Sequence, residues 1–343
     1  MRKYLLREDG NSYKANLHVH TNISDGGITP EEAKEGYKSH GYSVLAYTDH
    51  EVFVPHNDMT DEDFLAINAT ELAINDNWPG GFKYNKSFHL NLYAKTNDKT
   101  ECCVCTGKSI FLEHSKAYVS ETTINNKYRK FHSREGINDL IQRANNDGFL
   151  VCYNHPVWSL HNYSDYIDLS GLWGVEVYNT SSARGGYEDT TQPLDDLVNR
   201  GQRVVAVAAD DAHNLNASAY GGWTMIKADK LDYDSIISAL ERGDCYSSNG
   251  PEIKEISIED GVVNIKASDV VFVKLVTDIR FARSKNGSEN TPLTDVSFDI
   301  NDFIVDAGNP DQCRRSAPWF RLEVRDKSGK KAWTRPYFLD ELE

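Results

Sequence analysis

The residues with the clearest capacity for chemistry begin at His18-Val19-His20, near the N-terminus. The run Ala15–His20 is predicted to be a β-strand, and residues two apart in a strand point to the same face. Both imidazoles could therefore reach one metal ion. A lone His-x-His pair is weak evidence for such a site, so the prediction depends on whether further ligands occur later in the chain.

Further histidines and carboxylates recur where predicted strands end. They are Asp25, Asp49, His50, Glu71, His89, His155, Asp210, Asp211 and His213. Each alone has a simpler interpretation, such as a turn residue, a helix cap or half of an ion pair. Taken together, six of the eleven histidines lie in or at the ends of predicted strands. Such a cluster is unfavourable unless cations bind it.

Alternating strands and helices must position these residues. The predicted buried strands are Ala15–His20, Val44–Tyr47, Phe64–Asn68, Phe88–Tyr93, Phe149–Tyr153, Val175–Tyr178 and Val204–Ala208. One predicted helix begins at Pro30, with Thr29 as its N-cap. Three further helices are predicted at Ile137–Asn146, Pro193–Asn199 and Ser235–Arg242. This alternation predicts a parallel sheet covered by helices, either open or closed into a barrel. In such a barrel the carboxyl ends of the strands meet at one mouth.

Two regions depart from this rhythm. Residues 95–132 are polar, contain the cysteines Cys102, Cys103 and Cys105, and are predicted to form an insertion over one face. A thiolate metal cluster there is an alternative to a plain loop, although no second cysteine pair lies at a suitable distance. After Gly250 the chain has alternating apolar runs and hairpin signals such as Asp260-Gly261. Residues 250–343 are therefore predicted to form a small all-β sandwich.

Composition limits the possible partners. The 343 residues are 39% apolar, which is enough for a packed core. The net charge of −15 disfavours nucleic acid and anionic membranes as partners. No secretory signal and no apolar run of membrane-spanning length is visible, so we expect a cytoplasmic protein. The oligomeric state stays open.

The ordered set of motifs resembles the PHP (polymerase and histidinol phosphatase) superfamily, over roughly residues 14–250. The motifs are His18-Val19-His20-Thr21, Ser24-Asp25-Gly26, Thr48-Asp49-His50, Glu71, His89, Asn154-His155-Pro156 and Asp211-Ala212-His213. The resemblance implies that residues 1–249 form a distorted, TIM-like, seven-stranded β/α barrel. The segments Tyr246–Pro251, Trp319–Val324 and Lys331–Pro336 look like the CehA/McbA-like subfamily, which implies an appended immunoglobulin-like β-sandwich.

The resemblance also implies two or three divalent metal ions, with Mn, Fe or Zn favoured by mixed histidine and carboxylate ligands. The implied ligands are His18, His20, Glu71 and Asp211 for the first site, Glu71, His89 and His155 for the second, and Asp25, His50 and His213 for the third. Two cations bridged by Glu71 would lower the pKa of a shared water and supply the attacking hydroxide. Glu71, Asp211 and His213 are therefore the predicted catalytic residues.

The leading functional hypothesis is a phosphoesterase that acts on a small phosphomonoester or nucleotide. Arg129, Lys130 and Arg134 flank His132 just before a predicted helix, and these cations, like Arg184, could bind a phosphate. Of this group, Arg134, Arg184 and His132 are the predicted substrate contacts. Glu176 is predicted to play a supporting or structural part. One alternative is hydrolysis of a non-phosphate ester, amide or carbamate. Another is a binding protein that uses the β-sandwich, although Trp319 and Trp333 are better explained as core residues than as a binding platform.

Overall fold

The structure, a computed structural model, describes residues 2–7, 9–79, 81, 83–307 and 318–342. The first ten strands are β1 (Lys3–Leu6), β2 (Asn11–Val19), β3 (Val44–Tyr47), β4 (Leu65–Asn75), β5 (Ser87–Ala94), β6 (Phe149–Tyr153), β7 (Gly174–Asn179), β8 (Val205–Ala209), β9 (Trp223–Ala228) and β10 (Cys245–Ser248). The later strands are β11 (Ile253–Glu259), β12 (Val262–Val270), β13 (Phe272–Thr277), β14 (Arg283–Asn286), β15 (Leu293–Asp299), β16 (Trp319–Arg325), β17 (Lys331–Thr334) and β18 (Tyr337–Phe338). The helices are α1 (Pro30–Ser39), α2 (Glu121–Asn125), α3 (Arg134–Asn146), α4 (Tyr163–Tyr166), α5 (Thr180–Arg184), α6 (Gln192–Asn199), α7 (Leu215–Ser218), α8 (Tyr233–Arg242) and α9 (Asn301–Ala307).

Helix boundaries follow local capping chemistry. The Thr29 side chain accepts a hydrogen bond from the Glu32 amide, and the Glu32 carboxylate accepts one from the Thr29 amide, so α1 begins with a complete capping box. Helix α3 begins one turn before the predicted Ile137, because Ser133 caps the Gly136 amide at 3.1 Å. The predicted helices are therefore confirmed, with boundaries that shift toward the nearest side-chain cap.

The large sheet is mixed rather than parallel. Strands β2, β3 and β4 are parallel neighbours, as are β6, β7 and β8, but β5 is antiparallel to both β4 and β6. The expectation of a parallel sheet is thus wrong at β5. A parallel connection needs a crossover of a dozen or more residues, and the eleven residues between Asn75 and Ser87 contain no helix among those described.

The seven strands from β2 to β8 form one continuous path, and the last returns toward the first. In the described residues the return consists of an isolated parallel bridge between Val19 and Ala212. The His20 amide donates to the Ala212 carbonyl at 2.9 Å, and the Asp211 amide donates to the His18 carbonyl at 2.9 Å. The α/β character of this region is confirmed, and a fully closed barrel stays a prediction.

The C-terminal strands form two antiparallel sheets around their own apolar core. One sheet has the order β1-β11-β12-β15, and the other continues the large sheet through β10, β17, β16, β13 and β14. Strand β1 belongs by sequence to the predicted first domain, residues 1–249, but it pairs with β11 of the C-terminal region. The boundary at residue 249 and the immunoglobulin-like type of the sandwich stay predictions. The predicted core role of Trp319 and Trp333 is confirmed, since each is only 1% exposed.

The sandwich is joined to α6 by buried polar contacts. The buried Arg321 guanidinium donates two 2.7 Å hydrogen bonds to Asp195. The Trp319 indole donates to Asn199 at 3.1 Å. A bidentate arginine–carboxylate pair fixes orientation as well as distance. These contacts therefore fix the orientation of β16 relative to α6.

The insertion at 95–132 contains α2 and packs two of its cysteines into the main core. Cys102 and Cys105 are buried, whereas Cys103 is exposed. Among the described residues, none of the groups that could hold a metal ion includes a cysteine. Cys313 lies outside the described residues. Within the same described ranges, no helix has the length and apolar character needed to cross a bilayer.

Candidate metal centre

The change of partner along β4 places Glu71 at the centre of the site. Leu65–Asn68 pair with parallel β3, and the strand then pairs with antiparallel β5 from Ala69 onward. In that register Glu71 opposes Asn91 and His89 opposes Ala73, so Glu71 and His89 are diagonal neighbours on one face. Because β5 runs antiparallel, its first residues lie at the same end of the sheet as the carboxyl ends of the parallel strands. This explains why His89 lies within a strand and not after it.

Five imidazoles surround the Glu71 carboxylate, which is 1% exposed. The nitrogen–oxygen distances are 3.2 Å for His18 Nε2, 3.3 Å for His20 Nε2, 3.2 Å for His50 Nδ1, 3.0 Å for His89 Nδ1 and 3.5 Å for His155 Nε2. Both carboxylate oxygens take part, since Oε1 faces His18, His89 and His155 while Oε2 faces His20 and His50. A carboxylate whose two oxygens face different sets of imidazoles has the arrangement needed to bridge two metal ions.

The predicted ligands fall into overlapping groups whose donor atoms lie within 4.8 Å of one another. The groups are His18, His20, Glu71 and Asp211; His50, Glu71 and His89; His18, His155 and Glu176; and His20, Asp25, His50 and His213. The first contains the predicted first-site ligands, and the last contains all three predicted third-site ligands. The second predicted site is split, because His155 groups with His18 and Glu176 while His50 groups with Glu71 and His89. All nine predicted ligands are nevertheless gathered in one cluster.

Two of the gathered residues have unusual backbone conformations. His155 has φ of 25° and Asp211 has φ of 54°, in the left-handed region that side chains other than glycine rarely adopt. Such strain costs about 1–3 kcal/mol per residue and persists where the surroundings impose it, often at functional sites. Here the left-handed conformation points both side chains toward Glu71 and toward each other. His155 Nε2 lies 3.8 Å from Asp211 Oδ2.

Burial and neighbouring charges together set the pKa values of the residues in the cluster. Burial alone would lower the pKa of His20, but the neighbouring carboxylates of Asp211 and Glu71 raise it to about 10. Burial lowers the pKa of His50 to about 3, with repulsion from His20 adding to the effect of burial. Burial would raise the pKa of Glu71, yet the surrounding imidazoles hold it well below its usual value. Protons and divalent cations compete for the same nitrogen lone pairs, so the carboxylates that attract protons here would equally attract metal ions.

Unsatisfied buried atoms show that the residues fit a bound cation. His20 Nδ1, His50 Nδ1 and Glu71 Oε2 are buried and have no hydrogen-bond partner. Buried polar atoms in proteins are almost always satisfied, so exceptions need an explanation such as a bound ion. Divalent cations held between these ligands would satisfy such atoms, and imidazole with carboxylate is a suitable donor set for Mn²⁺, Fe²⁺ or Zn²⁺.

A further carboxylate orients the ligands. Glu176 Oε1 lies 2.7 Å from His18 Nδ1, which leaves His18 Nε2 facing Glu71 and Asp211. Its other oxygen accepts hydrogen bonds from the His155 amide and from the Asn179 side chain, each at 3.0 Å. Carboxylates that hold the second nitrogen of a metal-binding histidine fix its tautomer and raise its basicity. The geometry agrees with the supporting part predicted for Glu176.

Two aspartates beside the ligands hold the surrounding loops. Asp49 accepts hydrogen bonds from the amides and hydroxyls of Thr21 and Ser24, at 2.6–3.1 Å. Asp210 accepts from Tyr37, from Thr180 and from the amides of residues 220–222. Sequence reasoning gave neither aspartate a separate role, because a motif does not reveal which of two adjacent polar residues, Asp49 and His50 or Asp210 and Asp211, points into the site.

Replacement of Glu176 by glutamine is expected to weaken metal binding by about 10- to 100-fold, the usual loss when such a supporting contact is removed. Glutamine keeps the size of the side chain but removes the charge that favours the His18 N–H. Metal affinity should be measured by competition with a chromophoric chelator, and circular dichroism should verify the fold. Unchanged metal affinity would show that Glu176 has a purely structural part.

The cluster lies in a cleft of about 540 Å³. Besides seven of the predicted ligands, the lining includes Glu51, Ser109, Phe111, Lys130 and Trp158. Lys130 is the one lysine or arginine among the described lining residues, and its side chain is 11% exposed. Lys130, Ser109 and Phe111 all come from the predicted insertion, which therefore forms part of the cleft wall.

The predicted substrate contacts lie elsewhere. Arg134 forms a 3.0 Å ion pair with Asp168 at the start of α3, and Arg184 is exposed at the end of α5. The ring of His132 lies 5.3 Å from that of Phe88. None of these three described residues lines the cleft, so their assignment as substrate contacts stays a prediction that the geometry does not support.

No protein-family model and no curated protein matches the chain. Among solved structures, a two-domain protein from Bacteroides vulgatus, described as containing a predicted PHP-like metal-dependent phosphoesterase, is 13% identical with a TM-score of 0.46, over 98% of this chain and 97% of that one. A candidate metal-dependent phosphoesterase from Bifidobacterium adolescentis is 16% identical with a TM-score of 0.38, over 68% and 98%. An amidohydrolase from Chromobacterium violaceum, solved with bound sulfate and no metal, is 14% identical with a TM-score of 0.36, over 58% and 87%. The function of this chain is therefore inferred from its own site residues.

Proposed function

We propose that this chain is a PHP-type metal-dependent hydrolase, and that it acts as a phosphoesterase on a small phosphomonoester or nucleotide. The observation that carries the proposal is the Glu71 carboxylate, which is buried and lies within 3.5 Å of five imidazoles. A cleft of about 540 Å³ gives access to this cluster, and its size suits a small-molecule ligand.

Carboxylates and imidazoles would contribute differently to the binding of two or three divalent cations. Glu71, Asp211 and Asp25 would supply the negative charge, and the imidazoles would supply neutral nitrogen donors. When bound, the metal ions would lower the pKa of water and withdraw charge from the phosphoryl oxygens. The His213 side chain is 35% exposed, compared with 10% or less for His18, His20, His50, His89 and His155. His213 is thus the imidazole of the cluster most open to a substrate.

Lys130 is the cation best placed to contact the substrate. Its ammonium donates to the Ala73 carbonyl at 2.9 Å and to the Glu51 carboxylate. An ammonium has three N–H donors, which leaves one for a phosphoryl oxygen. Of the cations that the sequence suggested for phosphate binding, Lys130 therefore takes this part in place of Arg134, Arg184 and His132.

Replacement of Lys130 by glutamine is expected to raise KM about tenfold or more, the usual effect of losing a charged hydrogen bond. Glutamine retains donors for Glu51 and Ala73 but removes the charge. Lys116→Gln is the matched control, because Lys116 lies in the same insertion and pairs with Glu113 at 2.6 Å outside the cleft. Equal KM values for the two variants would exclude Lys130 as a substrate contact.

The proposed reaction is tested by removing the metals and restoring them. Protein treated with a chelator and then dialysed should lose phosphate release from a panel of phosphomonoesters, nucleotides and phosphodiesters, and addition of Mn²⁺, Fe²⁺ or Zn²⁺ should restore it. Metal-dependent release of alcohol from carboxylic esters or carbamates, with no phosphate released from any ester, would replace the phosphoesterase by a different hydrolase. Metal loading with no hydrolysis of either class would contradict the enzymatic proposal.

A further inference from the structure

An exposed aromatic side chain of the insertion lies beside the cluster of predicted metal ligands. Phe111 is 59% exposed, although a ring of this size is normally buried. Its ring centre lies 5.8 Å from that of His50, in an edge-to-face arrangement, and it lines the same cleft as Glu71. Phe111 thus presents an apolar surface at the position where a substrate would approach the metals.

A second ring borders another part of the cluster. The Trp158 ring centre lies 5.3 Å from that of His89 and 4.9 Å from that of His155. Because His50 and His89 are themselves in edge-to-face contact at 5.4 Å, Phe111 and Trp158 border different members of one imidazole pair. Trp158 also lines an adjoining cavity of about 230 Å³, so the space beside it extends away from the metals.

From these two rings we infer that the substrate of the proposed phosphoesterase carries a planar aromatic group on its leaving oxygen, and that this group contacts Phe111 and Trp158. This inference rests on the proposed function and names the substrate class of the same site. Phosphate would bind at the metal cluster near Lys130, and the ring would occupy the aromatic side of the cleft. Aromatic pairs gain from offset-stacked or edge-to-face contacts beyond simple burial.

The reaction itself is ordinary hydrolysis. The oxygen of water forms a bond to phosphorus, the bond between phosphorus and the leaving oxygen breaks, and one proton from water goes to the departing alcohol. The products are inorganic phosphate and an alcohol that carries the aromatic ring. No oxidant or further reactant is required.

The test compares two substrates that differ in planarity and have leaving alcohols of similar chemistry, benzyl phosphate and cyclohexylmethyl phosphate. For the metal-loaded wild-type protein, kcat/KM should favour benzyl phosphate. Phe111→Leu and Trp158→Leu should each reduce this preference by about 2- to 10-fold, the range expected for one aromatic pair. Phe131→Leu is the matched control, because Phe131 is 60% exposed but does not line the cleft.

Metal content should be measured for every variant, because Trp158 lies against two predicted ligands. Phe111 is exposed enough that its replacement should leave the fold intact. If both phosphates are hydrolysed equally and Phe111→Leu leaves the ratio unchanged, the aromatic inference is wrong while the phosphoesterase proposal stands.

If neither phosphate is hydrolysed, nor any phosphate ester of the panel described above, the phosphoesterase proposal fails, and binding then tests the aromatic inference separately. Calorimetry with benzylphosphonate and cyclohexylmethylphosphonate should show tighter binding of the benzyl compound, and Phe111→Leu should reduce the difference. That result would support an aromatic ligand site without hydrolysis of phosphate. Equal binding of the two compounds would overturn the inference.

Discussion

Glu71→Gln is expected to lower kcat by about 10³-fold or more, with the loss of at least one bound metal ion. The side chain contacts five imidazoles through both of its oxygens, so one substitution disturbs every group that includes it. Metal ions at such sites supply several kcal/mol of transition-state stabilisation, and each 1.36 kcal/mol corresponds to a tenfold change in rate. Glutamine has nearly the same shape, which separates the loss of charge from a loss of packing.

The measurement combines single-substrate kinetics with metal analysis by mass spectrometry. Glu113→Gln is a suitable control, because its side chain is 87% exposed and does not line the cleft. This control should retain wild-type activity and metal content. A Glu71→Gln protein with full metal content and wild-type kcat would contradict the bridging role of Glu71.

Asp211→Asn is expected to lower kcat by about 10²- to 10³-fold, because it removes the second carboxylate that faces His18 and His20. Asparagine is the informative replacement. The backbone of Asp211 is left-handed, with φ of 54°, and asparagine tolerates this conformation better than most residues. Alanine would add backbone strain to the loss of a ligand, and the two effects could not be separated.

The chain contains a matched control for this substitution. Asp260 is also left-handed, with φ of 49°, but lies in the hairpin between β11 and β12, far along the chain in the sandwich. Asp260→Asn should therefore leave kcat and metal content unchanged. If Asp211→Asn behaves like Asp260→Asn, Asp211 is not a metal ligand.

Much of the ligand cluster could be anticipated from sequence, because most of its members belong to short motifs at or just after the ends of strands. Glu71 and His89 instead lie within β4 and β5. His18 and His20 alternate within one strand, and the structure brings their Nε2 atoms to 3.2 Å. Asp211 and His213 lie two and four residues after the end of β8. Strand ends, together with local capping and turn signals, are properties of a few neighbouring residues, so a single sequence reveals them.

The reversed direction of β5 could not be read from the apolar pattern, which is the same for parallel and antiparallel buried strands. That direction nevertheless decides how His89 meets Glu71, as the register of β4 and β5 shows. The same limit applies to β1, whose pairing with β11 joins residues that are more than 240 positions apart.

The cleft wall was the least predictable part of the site. The sequence placed Lys130 among several candidate cations but favoured Arg134 and Arg184, and it pointed to neither Phe111 nor Trp158. Lys130, Phe111 and Trp158 nevertheless line the cleft. The positions of Lys130 and Phe111 depend on how the insertion folds back over the sheet, and the position of Trp158 depends on the loop between β6 and α4. No periodic pattern or motif encodes this packing. An exposed phenylalanine in a polar insertion is a weak sequence signal that becomes informative only beside the metal cluster.

The most direct test of the central claim is the metal content of wild-type protein purified without chelator and then reconstituted. The gathered histidines and carboxylates should bind two or three equivalents of Mn, Fe or Zn per chain, and Glu71→Gln should bind fewer under the same conditions. If the wild-type protein binds less than one equivalent after reconstitution with each of these metals, the cluster is not a metal centre and the proposed hydrolase is wrong.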